Sequence, residues 1–248
     1  MSGHSKWSTI KHKKGVADAR RGALFTKLVK IIEVAARGGA DPSMNFKLKL
    51  AVQKARGANL PLATIEKAIK KGSGQDKEAS RLEEITYEGL APGNVGVIVE
   101  TLTDNKNRTV SDVRNMFNKV GGNFGTSVAW QFVIRGVLYI NKPSNGTEGL
   151  ELAIIDSGAS DFADSGDTIE VYTDPKLLDK VKTQLESAGY KIEDSEIGLV
   201  AKTKTIISDP VMAKRVLNLL DNLEDHDDVS AVYSSLDIPD EVMTKLED

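Results

Sequence analysis

Three times between residue 95 and the C-terminal end, a strand-length apolar run gives way to Thr-Asp or Ser-Asp and then to a helical pattern. The first is Val95-Gly96-Val97-Ile98-Val99-Glu100-Thr101, then Thr103-Asp104, then Val110, Val113, Phe117 and Val120 at helical spacing before Gly121-Gly122. The second runs from 168–172 through Thr173-Asp174-Pro175 into Leu177, Leu178, Val181 and Leu185, stopped by Gly189. The third joins 205–207 through Ser208-Asp209-Pro210 to Val211, Val216, Leu219, Leu220 and Leu223, and a further strand-like run follows at 229–233. A side-chain oxygen at each junction is placed to cap free helix N–H groups, and proline suits a first helical turn. Repeated units of this kind predict an α+β chain with helices layered on one face of mixed sheets, in the ferredoxin-like manner. Residues 128–134 resume strand character, whereas 136–140 and 150–155 open a block of their own. The expected organisation is a domain made of 78–135 and 205–248, interrupted by an inserted α+β domain at 136–204.

The first 77 residues obey a different period. Leu24, Phe25, Leu28, Ile32 and Ala35 recur three and four apart, the signature of an amphipathic helix that Gly38-Gly39 ends. Phe46 and Leu50, with Leu48 and Val52, predict a second helix stopped by Gly57. Ile65 and Ile69 mark a third, opening at Pro61 and closing on Lys70-Lys71-Gly72, where cations complement the helix dipole. Residues 72–77, Gly-Ser-Gly-Gln-Asp-Lys, read as a linker. Residues 1–22 read as an arm, because no apolar period is sustained and Gly15 and Gly22 discourage one rigid helix, although 16–21 has helical character. Residues 1–77 are therefore expected to form a basic arm and a helical domain.

Composition narrows the function classes. No run approaches the roughly 18 apolar residues of a membrane-spanning helix. The absence of cysteine excludes disulfides and thiol chemistry. His4, His12 and His226 are too scattered for a histidine metal site, so neither a metal nor another cofactor is expected. The opening residues contain no apolar signal core, which makes the cytoplasm the expected address. The net charge of −3 conceals a split: residues 1–75 carry 16 Lys and Arg against four acids, and the remainder carries 17 against 32. A head of +12 joined to a body of −15 is the pattern of a chain whose head faces nucleic acid. The same split predicts that the head can dock on the body and compete with nucleic acid.

The candidate phosphate-binding residues of the head are Lys6, Lys11, His12, Lys13, Lys14, Arg20, Arg21, Lys27, Lys30, Arg37, Lys47, Lys49, Lys54, Arg56, Lys70 and Lys71. Cations with almost no acids among them neutralise phosphates and release condensed counterions, where an ordinary solvated helix mixes signs. Trp7, set among them, either stacks on an unpaired base or anchors the arm. Asn105, Lys106, Asn107 and Arg108 form a turn and cap at a strand-to-helix junction, or grip phosphates and base edges with two amides and two cations. The acidic groups Asp161, Asp164 and Asp167, and Asp225, Asp227 and Asp228, lack the spacing of a calcium loop and read as solvated turns. Gly121-Gly122-Asn123-Phe124-Gly125 is no nucleotide fingerprint, and no Gly-x-Ser-x-Gly elbow exists, so an enzyme is not expected.

Beyond these physical readings, the chain resembles the YebC/PmpR family. The resemblance rests on Gly3-His4-Ser5-Lys6-Trp7, Ile10-Lys11-His12-Lys13-Lys14, Phe25-Thr26-Lys27-Leu28 and Ala35-Ala36-Arg37-Gly38-Gly39. It continues through Asn59-Leu60-Pro61, Tyr87-Glu88-Gly89, 103–109 and Ile238-Pro239-Asp240-Glu241. The resemblance implies three domains, one helical and two α+β, with one of the α+β pair inserted in the other. It also implies a regulator that binds promoter DNA without catalysis. The family's other described roles, a mitochondrial translational activator and ribosome-associated factors that relieve stalling at proline-rich stretches, imply rRNA as the alternative partner.

Overall fold

The computed structural model describes residues 18–75, 81–143 and 146–247. In chain order the helical start comprises α1 (Asp18–Ala35), α2 (Phe46–Gly57) and α3 (Leu62–Gly72). There follow β1 (Glu83–Ala91), β2 (Val95–Thr103), α4 (Lys106–Lys119), β3 (Asn123–Phe124), β4 (Phe132–Asn141), α5 (Glu148–Asp156) and β5 (Asp161–Asp164). Next come β6 (Thr168–Thr173), α6 (Leu178–Ser187), β7 (Ile192–Ala201), β8 (Thr205–Ile206) and α7 (Pro210–Asp225). β9 (Val229–Ser234), β10 (Leu236–Asp237) and α8 (Asp240–Glu247) complete an α+β chain. By contact density the described residues fall into two compact units, 18–127 with 215–232, and 128–214 with 233–247.

In the first unit, α1, α2 and α3 enclose a core of Leu28, Ile32, Ala36, Leu48, Ala51, Val52, Ala55, Leu60, Ile65 and Ala68. Glycine sets how closely α1 and α3 approach. A Cβ built on Gly72 would fall 2.0 Å from the Glu33 carbonyl oxygen, so only a hydrogen fits there. Beside that contact, Lys71 Nζ donates to Glu33 Oε1 at 3.0 Å, which partners a carboxylate that is almost fully buried. The strands of this unit form a four-stranded sheet in the order β3-β1-β2-β9. β1 and β2 pair antiparallel from Glu83↔Thr103 to Ala91↔Val95. Seven apolar and threonine positions along β2 are buried on both faces, matching its unbroken hydrophobic run.

The second unit holds a four-stranded sheet in the order β5-β6-β4-β7, whose three pairings are all antiparallel. Gly136 lies at its centre, where a Cβ would meet Thr173 Cγ2 at 2.8 Å and Leu178 of α6 at 3.1 Å. A short parallel pairing of β8 with β10 belongs to the same unit.

The structure alters several local expectations. α1 runs unbroken through Gly22. The penalty of about 1 kcal/mol for a helical glycine is small beside the burial of Leu28 and Ile32 further along. Leu24, one turn before that covered stretch, is 44 % exposed. In α2 the buried face is Leu48, Ala51, Val52 and Ala55, with Phe46 and Leu50 only partly covered. Pro61 is the residue before α3 and not its first helical position. Residues 128–134 and 136–140, two runs in the sequence, contribute to one strand, β4, preceded by a single 3₁₀ turn.

Candidate nucleic-acid interface

The Asp-bearing junctions cap as the chemistry requires, with one change of residue. Asp174 accepts from Lys176 N at 2.8 Å, and Asp209 accepts from Val211 N and Met212 N at 3.2 Å each. At the first junction Asn105, not Asp104, is the cap and accepts from Arg108 N at 3.2 Å. That leaves Asp104 free to take the Arg108 guanidinium at 3.1 Å, an exposed pair one helical turn apart.

Arg108 is held by a second carboxylate. Asp228, only 3 % exposed, receives Arg108 Nη2 at 2.8 Å on one oxygen and Lys30 Nζ at 2.8 Å on the other. Thr109 Oγ1 lies 2.8 Å from Asp228 Oδ2 and 2.8 Å from Thr103 Oγ1, and Thr103 Oγ1 also reaches Asp228 Oδ2 at 3.2 Å. The Asp228 backbone N–H donates to His226 Nδ1 at 3.1 Å, and the other ring nitrogen faces Asp112 at 3.4 Å. Burial alone would push the Asp228 carboxyl up. Donation from Lys30, Arg108 and Thr109 outweighs that and holds it well below the usual carboxylate range. Asp228 is thus no solvated turn residue but the centre of a buried polar network joining α1, β2 and α4 to the turn before β9.

This network and separate contacts elsewhere in the unit occupy several of the predicted phosphate-binding residues. Lys30 donates to Asp228 and, at 3.0 Å, to the Asp227 carbonyl. Lys27 donates to the Glu224 carbonyl, and burial lowers its pKa although Glu224, Asp225 and Asp227 act to raise it. Lys71 is on Glu33, and Arg37 donates to the Leu82 carbonyl at 2.6 Å. Asn105 spends its side-chain oxygen on the helix cap. Lys106 and Asn107 stand exposed on the first turn of α4.

The other predicted cations sit differently. Along α2, Lys47, Lys54 and Arg56 are exposed, Lys49 lies within 6.0 Å of the Phe46 ring, and the helix contains no acid. Among the described residues, Lys47, Arg56 and the exposed Lys70 of α3 have no ion-pair partner. Lys6, Trp7, Lys11, His12, Lys13 and Lys14 lie outside the described residues, as do the side chains of Arg20 and Arg21. The sequence reading took Asp228 for a solvated turn residue and gave Glu33 no role. Only for Glu33 is there a local signal, since a lone acid in a basic stretch marks a paired one.

Residues 5–75 match the model of the TACO1/YebC protein N-terminal domain, and residues 82–236 match that of the TACO1/YebC second and third domain. The chain belongs to the TACO1/YebC family. A protein of Desulforapulum autotrophicum called a probable transcriptional regulatory protein is 50 % identical over 245 residues, 98 % of each chain. A Geobacter protein with the same description is 49 % identical over 249 residues, 99 % of this chain and all of its own. The crystal structure of a conserved hypothetical protein from Aquifex aeolicus superposes with a TM-score of 0.83 at 41 % identity, covering 91 % of this chain and 94 % of the other. Within the TACO1/YebC N-terminal domain fall all the head cations named above, Lys30 of the Asp228 network among them, and within the second and third domain fall the other members of that network. No group of three or more His, Cys, Asp or Glu among the described residues is arranged to hold a metal. No helix among them is long and apolar enough to cross a membrane.

Proposed function

We propose that the chain is a non-enzymatic nucleic-acid-binding regulator of gene expression, a DNA-binding transcriptional regulator that uses its basic N-terminal head. The observation that carries this reading is α2: Lys47, Lys49, Lys54 and Arg56 on one twelve-residue helix without an acid. Lys47 and Lys54, and likewise Lys49 and Arg56, stand seven apart, two turns along a shared side of the helix, so the cations recur in rows that a line of phosphates complements. The description of the relatives as probable transcriptional regulatory proteins supports the same class. Phosphate contact positions the chain without reading bases, so specificity falls to the amides and cations of the head and, in the 105–108 region, to the exposed Lys106 and Asn107.

The test is fluorescence anisotropy of the full chain on labelled duplex DNA across a salt series. It is paired with gradient sedimentation of the tagged protein from gently lysed cells, with and without DNase. A head engaging six to ten phosphates loses about 10³–10⁵ in affinity between about 50 and 200 mM salt. Substituting Lys47→Glu with Arg56→Glu should weaken binding across unrelated DNA sequences and flatten that salt dependence. Binding that survives the double substitution removes α2 from the interface. Co-migration with ribosomes that persists after DNase moves the function to translation.

A further inference from the structure

The body, acidic in sum, carries one surface of the opposite character. An open cavity of about 470 Å³ is lined by Lys119, Val120 and Gly121 at the end of α4 and by Arg215 and Asn218 of α7. Among the described residues no carboxylate lines it. Lys119, Arg215 and Asn218 are all exposed, and among the described residues none of the three side chains has a partner. A lysine in the last turn of α4 complements the helix dipole by itself. That explanation does not reach Arg215, which comes from another helix and meets the same space.

The cavity is one end of a longer face. Asp112, midway along α4, pairs with His226 just beyond α7, while Lys119 at the end of α4 meets Arg215 and Asn218. The two helices therefore run antiparallel side by side. Arg215, Asn218 and Asn222 follow one another at helical spacing along α7, as Asn115 and Lys119 do along α4, and all five are exposed. Two cations and three amides make a strip that donates hydrogen bonds and carries net positive charge. A phosphodiester backbone is the complementary partner: guanidinium and ammonium take the phosphates, and asparagines take sugar and phosphate oxygens.

We infer that the α4–α7 face is a second contact for the backbone of the DNA bound by the head. The inference rests on the function proposed above and extends it from the head to the body. It would make the acidic remainder a device that confines contact to this strip and the head.

The experiment uses the full chain with Lys119→Glu and Arg215→Glu together, titrated by anisotropy against labelled duplex DNA and an RNA hairpin over a salt series. Both sites are exposed and unpaired, so the variant should keep the wild-type circular dichroism spectrum and urea midpoint. A variant carrying Lys119→Gln and Arg215→Gln serves if reversal disturbs folding. The expected result is an affinity for DNA about tenfold lower and a salt slope shallower by about two units, with the head intact. Unchanged DNA affinity and slope in a folded variant overturn the second contact while leaving the head reading standing. A loss confined to the RNA hairpin overturns the assignment to DNA. Failure of the wild-type chain to bind DNA at all overturns both.

Discussion

At the scale of single residues, the cations of the head separate into those that hold the fold and those left to meet a partner. Lys30 and Arg108 share the buried carboxylate of Asp228, so each is a structural charge. Replacing Asp228 by Ala leaves Lys30 facing no carboxylate and Thr103 short of an acceptor, while Thr109 falls back on the Asn105 carbonyl. We expect a loss of about 2–3 kcal/mol, discounted because Arg108 is half exposed, read as a lower urea midpoint. The same residue fixes a pH response. Because the folded carboxyl is held below its ordinary value of about 4, its contribution is complete above that value and is lost as the pH falls beneath it. Denaturation midpoints followed from about pH 5 down to about pH 2 should fall more steeply for the wild type than for Asp228→Asn. Equal slopes would show that Asp228 does not carry the linkage. The sequence could not display this. Asp228 stands in an acid-rich turn, and its partners lie 119 or more residues away in the chain.

At the scale of elements, packing decides where local propensity leaves the matter open. Three helices at the start, strand–cap–helix units beyond and the Asx chemistry of each junction follow from spacing and residue type. The face of α2 does not, because alternating Lys and Leu around Phe46 leaves two apolar stripes available, and the core selects Leu48, Ala51, Val52 and Ala55. Gly72 gives the element-scale prediction. Alanine is worth about 1 kcal/mol more than glycine inside a helix, yet here its Cβ would strike the Glu33 carbonyl. The α1 backbone cannot yield by rotating a side chain, so Gly72→Ala should destabilise the helical bundle by about 1–3 kcal/mol. A raised thermal midpoint for that variant would show that α1 and α3 separate freely.

At the scale of the whole molecule, the charge split separates binding from stability. Lys47→Met and Arg56→Met should lower nucleic-acid affinity without moving the urea midpoint, since neither residue has an ion-pair partner among the described residues. Lys30→Met should do the reverse, costing about 1–2 kcal/mol of stability through the lost charge-assisted hydrogen bond to Asp228. If Lys30→Met lowers affinity while leaving the midpoint in place, its contact with Asp228 is not structural. The sequence by itself determined the α+β class, the switch from helical to strand–helix grammar and the concentration of positive charge in the first 75 residues. Each is a property of order along the chain, expressed by periodicity, capping chemistry and counting. Only the tertiary structure decided which of those charges are already neutralised, which carboxylates are buried among cations, and that Lys119 and Arg215 share one cavity. Those outcomes depend on residues distant in sequence being brought within hydrogen-bond or contact distance. No local pattern records such a meeting.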